Sequence, residues 1–454
     1  MNERVDFLEN LLDHIESISW KSLKKEVRER SIVFLADTIG VGLSAAGLPD
    51  TRRLSALSEK WGPGHSQPLG GSPKFSSSEA AFLNGFQIHC QEFDAVHEQA
   101  VLHAMSVVSG AMLADCQRNR IMGSKFLEAV ICGVEVTAAV GIASRAPMRF
   151  FRPATVGLMG AVVALAKVHG ADRTTMKNAL GLAFSYVSGN MQAHLEGSPA
   201  LAYQVGIAAR NAIFAWDMAR EGCHGPHDVF EGPYGFMNLI EDKWDLKPSV
   251  DRLGKVWAIE ELVHKPYPSG RASHGIIRLL EEILSEQKLD PSDIKSLKAS
   301  VPPLILRLVG RSWKKGLSLA QARLCLPFLV ATYLIKGKID LNSYHEDWFK
   351  GNEWHEAASK LSIEVNDVKD PNALVPQQLK VETQDGRFYA KSTSEVYGSP
   401  SAPMSEDEQF QKFSGCLDFS GIQGMNDRRS QWEKWFGFHK LDSVHELITE
   451  FRIT

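Results

Sequence analysis

Residues 84–110 read NGFQIHCQEFDAVHEQAVLHAMSVVSG. On both sides apolar and small residues recur at three- and four-residue spacing, the period of a buried helix. Between them lie three histidines (His89, His97, His103) and three acids (Glu92, Asp94, Glu98). A buried carboxylate or imidazole has to be paired or hydrogen-bonded. One such residue is easily structural. Six together, ahead of a helix beginning near Ala104, mark the wall of a polar pocket. A surface loop of solvated charges, with a histidine capping the helix, is the competing reading.

Outward from this stretch the helical period continues. It predicts helices over 32–46, 104–116, 125–144, 155–169, 174–188 and 206–220. The run Gly157–Leu158–Met159–Gly160–Ala161–Val162–Val163–Ala164 lets helix backbones approach closely. Past His264 the texture changes. Residues 296–301 and 361–365 alternate like strands, and 379–383 and 387–391 flank Asp385–Gly386, a hairpin turn signal. Helices are expected there over 274–286 and 319–335. The segment 398–403 (GSPSAP) reads as a linker, and Ser405 as the N-cap of a helical tail over 406–454. The fold class is therefore mainly α with a smaller α+β part. Residues 1–262 and 405–454 form the helical domain, and 263–404 form an inserted α+β domain.

Composition narrows the function. The 454 residues are 44% hydrophobic and 23% charged, ordinary for a globular chain. A net charge of −4 gives no electrostatic footprint for nucleic acid or a membrane surface. The six cysteines form no CxxC pair, which reads as reduced, cytoplasmic thiols. The acidic, amphipathic first twenty residues lack the basic start and apolar run of a signal peptide. The apolar stretches 31–47 and 129–146 each carry a central acid, Asp37 and Glu135, so buried helices are expected rather than membrane spans. With no HExxH and with His97 and His103 six apart, no metal is expected. Cys90 reads as a buried small residue.

Two further concentrations stand out. HKPYPSGRASHG, at 264–275, holds Lys265, Arg271 and His274 on a proline-restricted backbone, suited to fixing a cation against a carboxylate. RFFRP, at 149–153, puts Arg152 at a helix start, where an anion would be favoured. A linker with ordinary surface charges and a helix-capping loop are the bland readings of each.

These residues carry a resemblance. The segments FLADTIGVGLSAAG (34–47), AAFLNGFQIHCQEFDAVH (80–97), RFFRPATVGLMGA (149–161), GIAARNAIFA (206–215), GPHDVFEGPYGF (225–236), KPYPSGRASHG (265–275) and QARLCLPF (321–328) resemble the MmgE/PrpD family in order and spacing. That family includes 2-methylcitrate dehydratase, cis-aconitate decarboxylase and iminodisuccinate epimerase. The resemblance implies a helical domain with a smaller α+β domain, a homodimer, no cofactor, and small di- or tricarboxylic acids as substrates. The family's acidic motif is commonly Asp-Phe-Asp-Asp-Thr-His followed by His-Pro. Here it is Glu92–Phe93–Asp94–Ala95–Val96–His97, followed by His103–Ala104. The Lys-Pro-Tyr-Pro lysine corresponds to Lys265. Where members carry Phe-His-Pro this chain has Phe151–Arg152–Pro153. Where they carry a lysine and a histidine ahead of the GIAAR segment it has Leu201 and Gln204.

The expected catalytic residues are thus His103, Lys265, Glu92 and Asp94, and the expected substrate-binding residues are His97, Arg152, Arg271, His274 and Gln204. His97 reads equally as an acid–base group and as a partner for its own loop backbone. The chemistry implied is proton transfer at a carbon beside a carboxylate, where positive groups stabilise the developing enediolate. Lys265 and Arg271 hold the carboxylate, His103 moves the proton, and Glu92 or Asp94 orients it or opposes it. A dehydratase-type lyase is the first expectation. Epimerase or isomerase, decarboxylase, and non-catalytic carboxylate binder are the alternatives.

Overall fold

The computed structural model describes residues 5–71, 73–314, 316–345, 351–421 and 427–445. Parts of the expected helical tail, residues 422–426 and 446–454, lie outside the described residues. The chain is mainly helical, with a four-stranded sheet in its second half.

Small residues decide how the helical body packs. Helix Ala104–Asp115 is buried along its whole length, as a helix apolar on nearly every side must be in a globular protein. It packs on Ser77–His89, which packs in turn on Ala200–Arg220, while Gly123–Ile142 packs on Arg152–Val168. At two crossings a glycine is required. A Cβ on Gly110 would sit 2.9 Å from the Gly85 nitrogen, and one on Gly160 would sit 2.4 Å from the Gly133 carbonyl oxygen. Overpacking such a contact costs about 1–3 kcal/mol. Gly160→Ala is therefore expected to lower the unfolding free energy from urea titration by that amount; an unchanged value would show that the two helices part freely.

Helix Lys25–Ser44 carries Asp37 at its middle, buried at 6% exposure. The tail helix Glu406–Ser420 returns to pack on it and supplies the counter-charge, Lys412, 2.7 Å from Asp37. Ser405 caps that helix: its hydroxyl accepts from the Glu408 N–H. The second central acid, Glu135, accepts from the Ala258 N–H at 2.6 Å. Among the described residues no single helix is long and apolar enough to cross a membrane.

The first two strands, β1 (Val96–His97) and β2 (Leu262–Val263), pair antiparallel. The sheet contains β3 (Ile294–Val301), β4 (Leu361–Val365), β5 (Gln377–Thr383) and β6 (Phe388–Thr393), in the order β4-β3-β5-β6. Strand β3 runs parallel to β4 and antiparallel to β5. Alternation places Leu297, Ala299, Val301, Leu379 and Val381 inward, and helix His274–Gln287 packs against β5 and β6. Gly386, at φ +84°, makes the turn between β5 and β6.

Two expectations change. The single helix expected over 319–335 is two, Leu319–Arg323 and Leu326–Lys336. Pro327 has no N–H to offer the carbonyl four residues back, which is Arg323's. That carbonyl accepts from the Gly270 N–H instead, at 3.0 Å. The supposed linker at 398–403 is tied down: the Gly398 carbonyl accepts from the His264 N–H at 3.1 Å. A Cβ on Gly398 would lie 2.3 Å from the His264 oxygen, and its φ is +95°.

Candidate active site

The acidic motif follows helix Ser77–His89 and precedes Ala104–Asp115, with the chain between pinned by the β1–β2 pair. That pairing sets Val96 opposite Val263, two residues ahead of Lys265. It therefore carries Lys265 to Glu92, 173 residues away in sequence: the ammonium lies 3.0 Å from Glu92 Oε2 and also donates to the Glu92 carbonyl at 3.0 Å. Glu92 holds φ +53° and Val101 φ +52°. A branched residue in the left-handed region is an outlier, and such strain gathers at functional sites.

A second group adjoins the first. Asp94 Oδ2 accepts from His89 Nδ1 at 3.1 Å and lies 3.0 Å from His103 Nδ1. His89 Nε2 is 3.7 Å from Glu92 Oε1. An ionised carboxylate at these distances places an N–H on each δ nitrogen and so leaves His103 Nε2 as the lone-pair nitrogen. The three residues bring one donor atom each within 4.8 Å of one another, but the aspartate oxygen is shared by two imidazoles rather than open to a cation.

Electrostatics separates the roles. Burial alone would raise the Glu92 carboxyl, but Lys265, His89 and His103 outweigh it and hold it down to about 2. Burial opposes the Asp94 charge as well, and the two imidazoles hold its carboxyl well below the usual range. The imidazoles diverge. Burial lowers His103, and Lys265 adds to that, so it is neutral at pH 7. Burial also acts to lower His89, but Asp94 and Glu92 prevail and raise it. One aspartate thus sits between a proton-poor and a proton-rich imidazole.

Glu92, His97, Glu98 and His103 line a cleft of about 650 Å³, partly open to solvent, with Phe151, His194, Arg271 and Leu324. Lys265 does not line it; fully buried, it stands behind Glu92. Arg271 reaches the cleft but is heavily engaged, with Nε on Glu98 at 2.6 Å and its other nitrogens on the carbonyls of Tyr397 and Val396. His97 also lines the cleft, yet its Nδ1 accepts from the Ala100 N–H and its Nε2 meets Glu261 at 3.1 Å. Its Nδ1 thereby holds the backbone of its own loop.

The other three expected binding residues stand apart from the cleft. Arg152 is turned inward at 1% exposure: Nε meets Glu241 at 3.3 Å, and the other nitrogens donate to Ser144, Ala146 and Ala100. Its charge is consumed by a partner 89 residues away. His274 is sealed against Tyr267 and meets the Ser269 carbonyl at 3.2 Å. Gln204 bonds the backbone of Asn190 in a separate surface groove. Cys90, expected to be buried, is half-buried beside a second cleft, and burial of its sulfur pushes the thiol up to about 12.

Two residues entered the site without being expected. His89 was visible in the histidine-rich stretch but had no motif to give it a role. His194, on the short helix Gln192–Glu196, had no signal in sequence. Burial, then Arg311, lowers His194 from 6.5 to about 4. The unfolded chain therefore binds a proton between pH 6.5 and 4 that the folded chain refuses, and stability falls as pH drops through that window. His194→Gln is expected to remove about 3 kcal/mol of the stability lost between pH 7 and pH 4. Urea titrations at both pH values measure this; equal losses in both proteins would place the acid sensitivity elsewhere.

The chain as a whole matches known proteins in sequence. Residues 9–249 match the MmgE/PrpD N-terminal domain and residues 267–433 the MmgE/PrpD C-terminal domain. The chain belongs to the MmgE/PrpD family. It is 24% identical over 425 residues to a cis-aconitate decarboxylase of Homo sapiens, covering 89% of this chain and 86% of that protein. It is 23% identical over 451 residues to a cis-aconitate decarboxylase-like protein of Aspergillus oryzae, covering 91% and 92%.

Proposed function

We propose that this enzyme is a lyase that withdraws a proton beside a carboxylate of a small tricarboxylic acid. The observation that carries the reading is His103: neutral, held by Asp94 through one nitrogen, and lining the cleft with the other nitrogen free of that contact. That is the arrangement of an oriented general base. The negative charge that develops on the substrate meets Arg271 across the cleft and the proton-rich His89 behind it. Lys265 acts through Glu92, keeping that carboxylate ionised at the cleft wall.

Elimination of water is the first reading, because a proton-poor and a proton-rich imidazole on one aspartate are a base and an acid at close quarters. Loss of carbon dioxide is the second, supported by the names of the relatives. The division at 262/263 and 404/405 belongs to the same proposal. In it residues 263–404 are a lid-like cover, supplying Arg271, Leu304, Leu308 and Leu374 to the cleft opposite Glu92, His103 and Phe151. So does the homodimer, which light scattering would weigh directly.

The test is proton NMR in heavy water with cis-aconitate, citrate, 2-methylcitrate and smaller dicarboxylic acids. An alkene that keeps every carboxylate of its parent acid reports dehydration, a product one carboxylate shorter reports decarboxylation, and deuterium uptake with inverted configuration reports epimerisation. Deuterium uptake without chemical loss would replace the lyase with an isomerase. A panel with neither exchange nor turnover would overturn the proposal.

A further inference from the structure

Five arginines and lysines among the described residues keep a tenth or less of their surface exposed: Arg152, Lys265, Arg271, Arg323 and Lys412. Four of them meet a carboxylate, Glu241, Glu92, Glu98 and Asp37 respectively. Arg323 meets none among the described residues. Its terminal nitrogen reaches only the neutral Gln91 Oε1, at a long 3.5 Å, and its Nε has no hydrogen-bond partner. The Tyr344 ring lies 4.6 Å from the guanidinium carbon. A buried charge without a counter-ion is costly, and chains keep one where something else supplies the partner.

The surroundings point to that partner. Arg323 lines a second cleft, about 1240 Å³ and open in part to solvent, together with Asp50, Arg53, His89, Glu92 and Ser318. This cleft shares Glu92, Leu201 and Leu324 with the first. The other charges near it cancel: Lys265 against Glu92, Asp94 against His89, Arg53 against Asp50. Arg323 is the charge left over.

The guanidinium is also held in place from its own chain. Helix Leu319–Arg323 has a capping box at Ser318 and Gln321, whose side chains also bond the carbonyls of Gly197 and Glu196. The Arg323 carbonyl is tied to Gly270, and Gln91, which faces Arg323, is fixed by donating to Ser44 at 2.6 Å.

We propose that Arg323 is the anchor for a second carboxylate of the substrate, and that it makes the enzyme selective for acids with at least one carboxylate beyond the one at the reacting carbon. The inference rests on the carboxylic-acid reading above and names the group that recognises the far end of that acid.

Calorimetric titration with two unreactive probes tests it: glutarate, and butyrate, which lacks the second carboxylate. Native protein is expected to bind glutarate about 10- to 100-fold more tightly than butyrate, the usual worth of a charge-assisted hydrogen bond. Arg323→Leu is expected to bind both equally weakly, with Arg323→Lys intermediate. Because the arginine is uncompensated without ligand, the melting temperature of ligand-free Arg323→Leu should stay at or above the native one; a large drop would mark a structural role and overturn the proposal. Undiminished discrimination between the probes in Arg323→Leu would overturn it too. Native protein that binds and discriminates but turns over no acid would refute the lyase reading alone. Turnover with the same KM in Arg323→Leu would refute the anchor alone. A native protein that binds neither probe would refute both.

Discussion

Lys265→Met is expected to lower stability at pH 7 by about 3–5 kcal/mol, because it strands a buried carboxylate, and to cut kcat/KM about 100- to 1000-fold through the lost electrostatic support. In the native protein the ammonium sits against Glu92 with no solvent around it. The Glu92 carboxyl, at about 2 against a usual 4.5, binds its proton less readily folded than unfolded. Its contribution to stability, about 3 kcal/mol from that shift, is therefore fully present above pH 4.5 and is lost as pH falls toward 2. The gap between native and variant should follow the same course, wide at pH 7 and nearly closed at pH 2. Adding Glu92→Gln to the lysine variant removes the stranded charge and should recover stability without recovering activity. Urea titrations across pH, with turnover on the substrate found by NMR, measure both parts. A variant as stable as the native protein at pH 7 would show that the pair contributes nothing to the fold.

Asp94→Asn is expected to be the more damaging change for turnover, with kcat down about 100- to 10,000-fold, the range for loss of an oriented acid–base group. Asp94 fixes the δ N–H of His103 and supports the charge on His89. Its carboxylate raises His103 against the lowering by burial and Lys265. The native rate should climb with pH through the His103 value, which lies below 6.5, and level off by neutrality. Without the carboxylate that climb moves to still lower pH while the plateau falls. A pH–rate profile separates this from general damage, which would lower the plateau and leave the midpoint where it was. An unchanged plateau would remove Asp94 from the mechanism.

Much of the fold was legible because its determinants are local. The small-residue runs announced helices that touch backbone to backbone, and Gly160 against Gly133 is that contact. Asp385–Gly386 announced its hairpin, and Ser405 its helix, since turn and cap geometry depend on neighbours a few residues away. Pro327 was in plain view inside the 319–335 helix but was outweighed by the apolar period around it. The two-residue β1–β2 pair is too short to show any alternation.

The candidate site divides along the same line. By itself the sequence determined that acids and imidazoles concentrate between two buried helices, and that a lysine stands on a proline-stiffened segment far away. It could not say which cation meets which anion, because a side chain's charge is local while its partner is not. Arg152 was expected to greet a substrate and is neutralised by Glu241. Arg323 was given no role and meets no carboxylate among the described residues. Only the tertiary structure decided that Lys265 stands behind Glu92 and that two imidazoles of unlike proton affinity share one aspartate. Those outcomes are set by burial and by contacts between residues as many as 173 positions apart, where no pattern along the chain carries information.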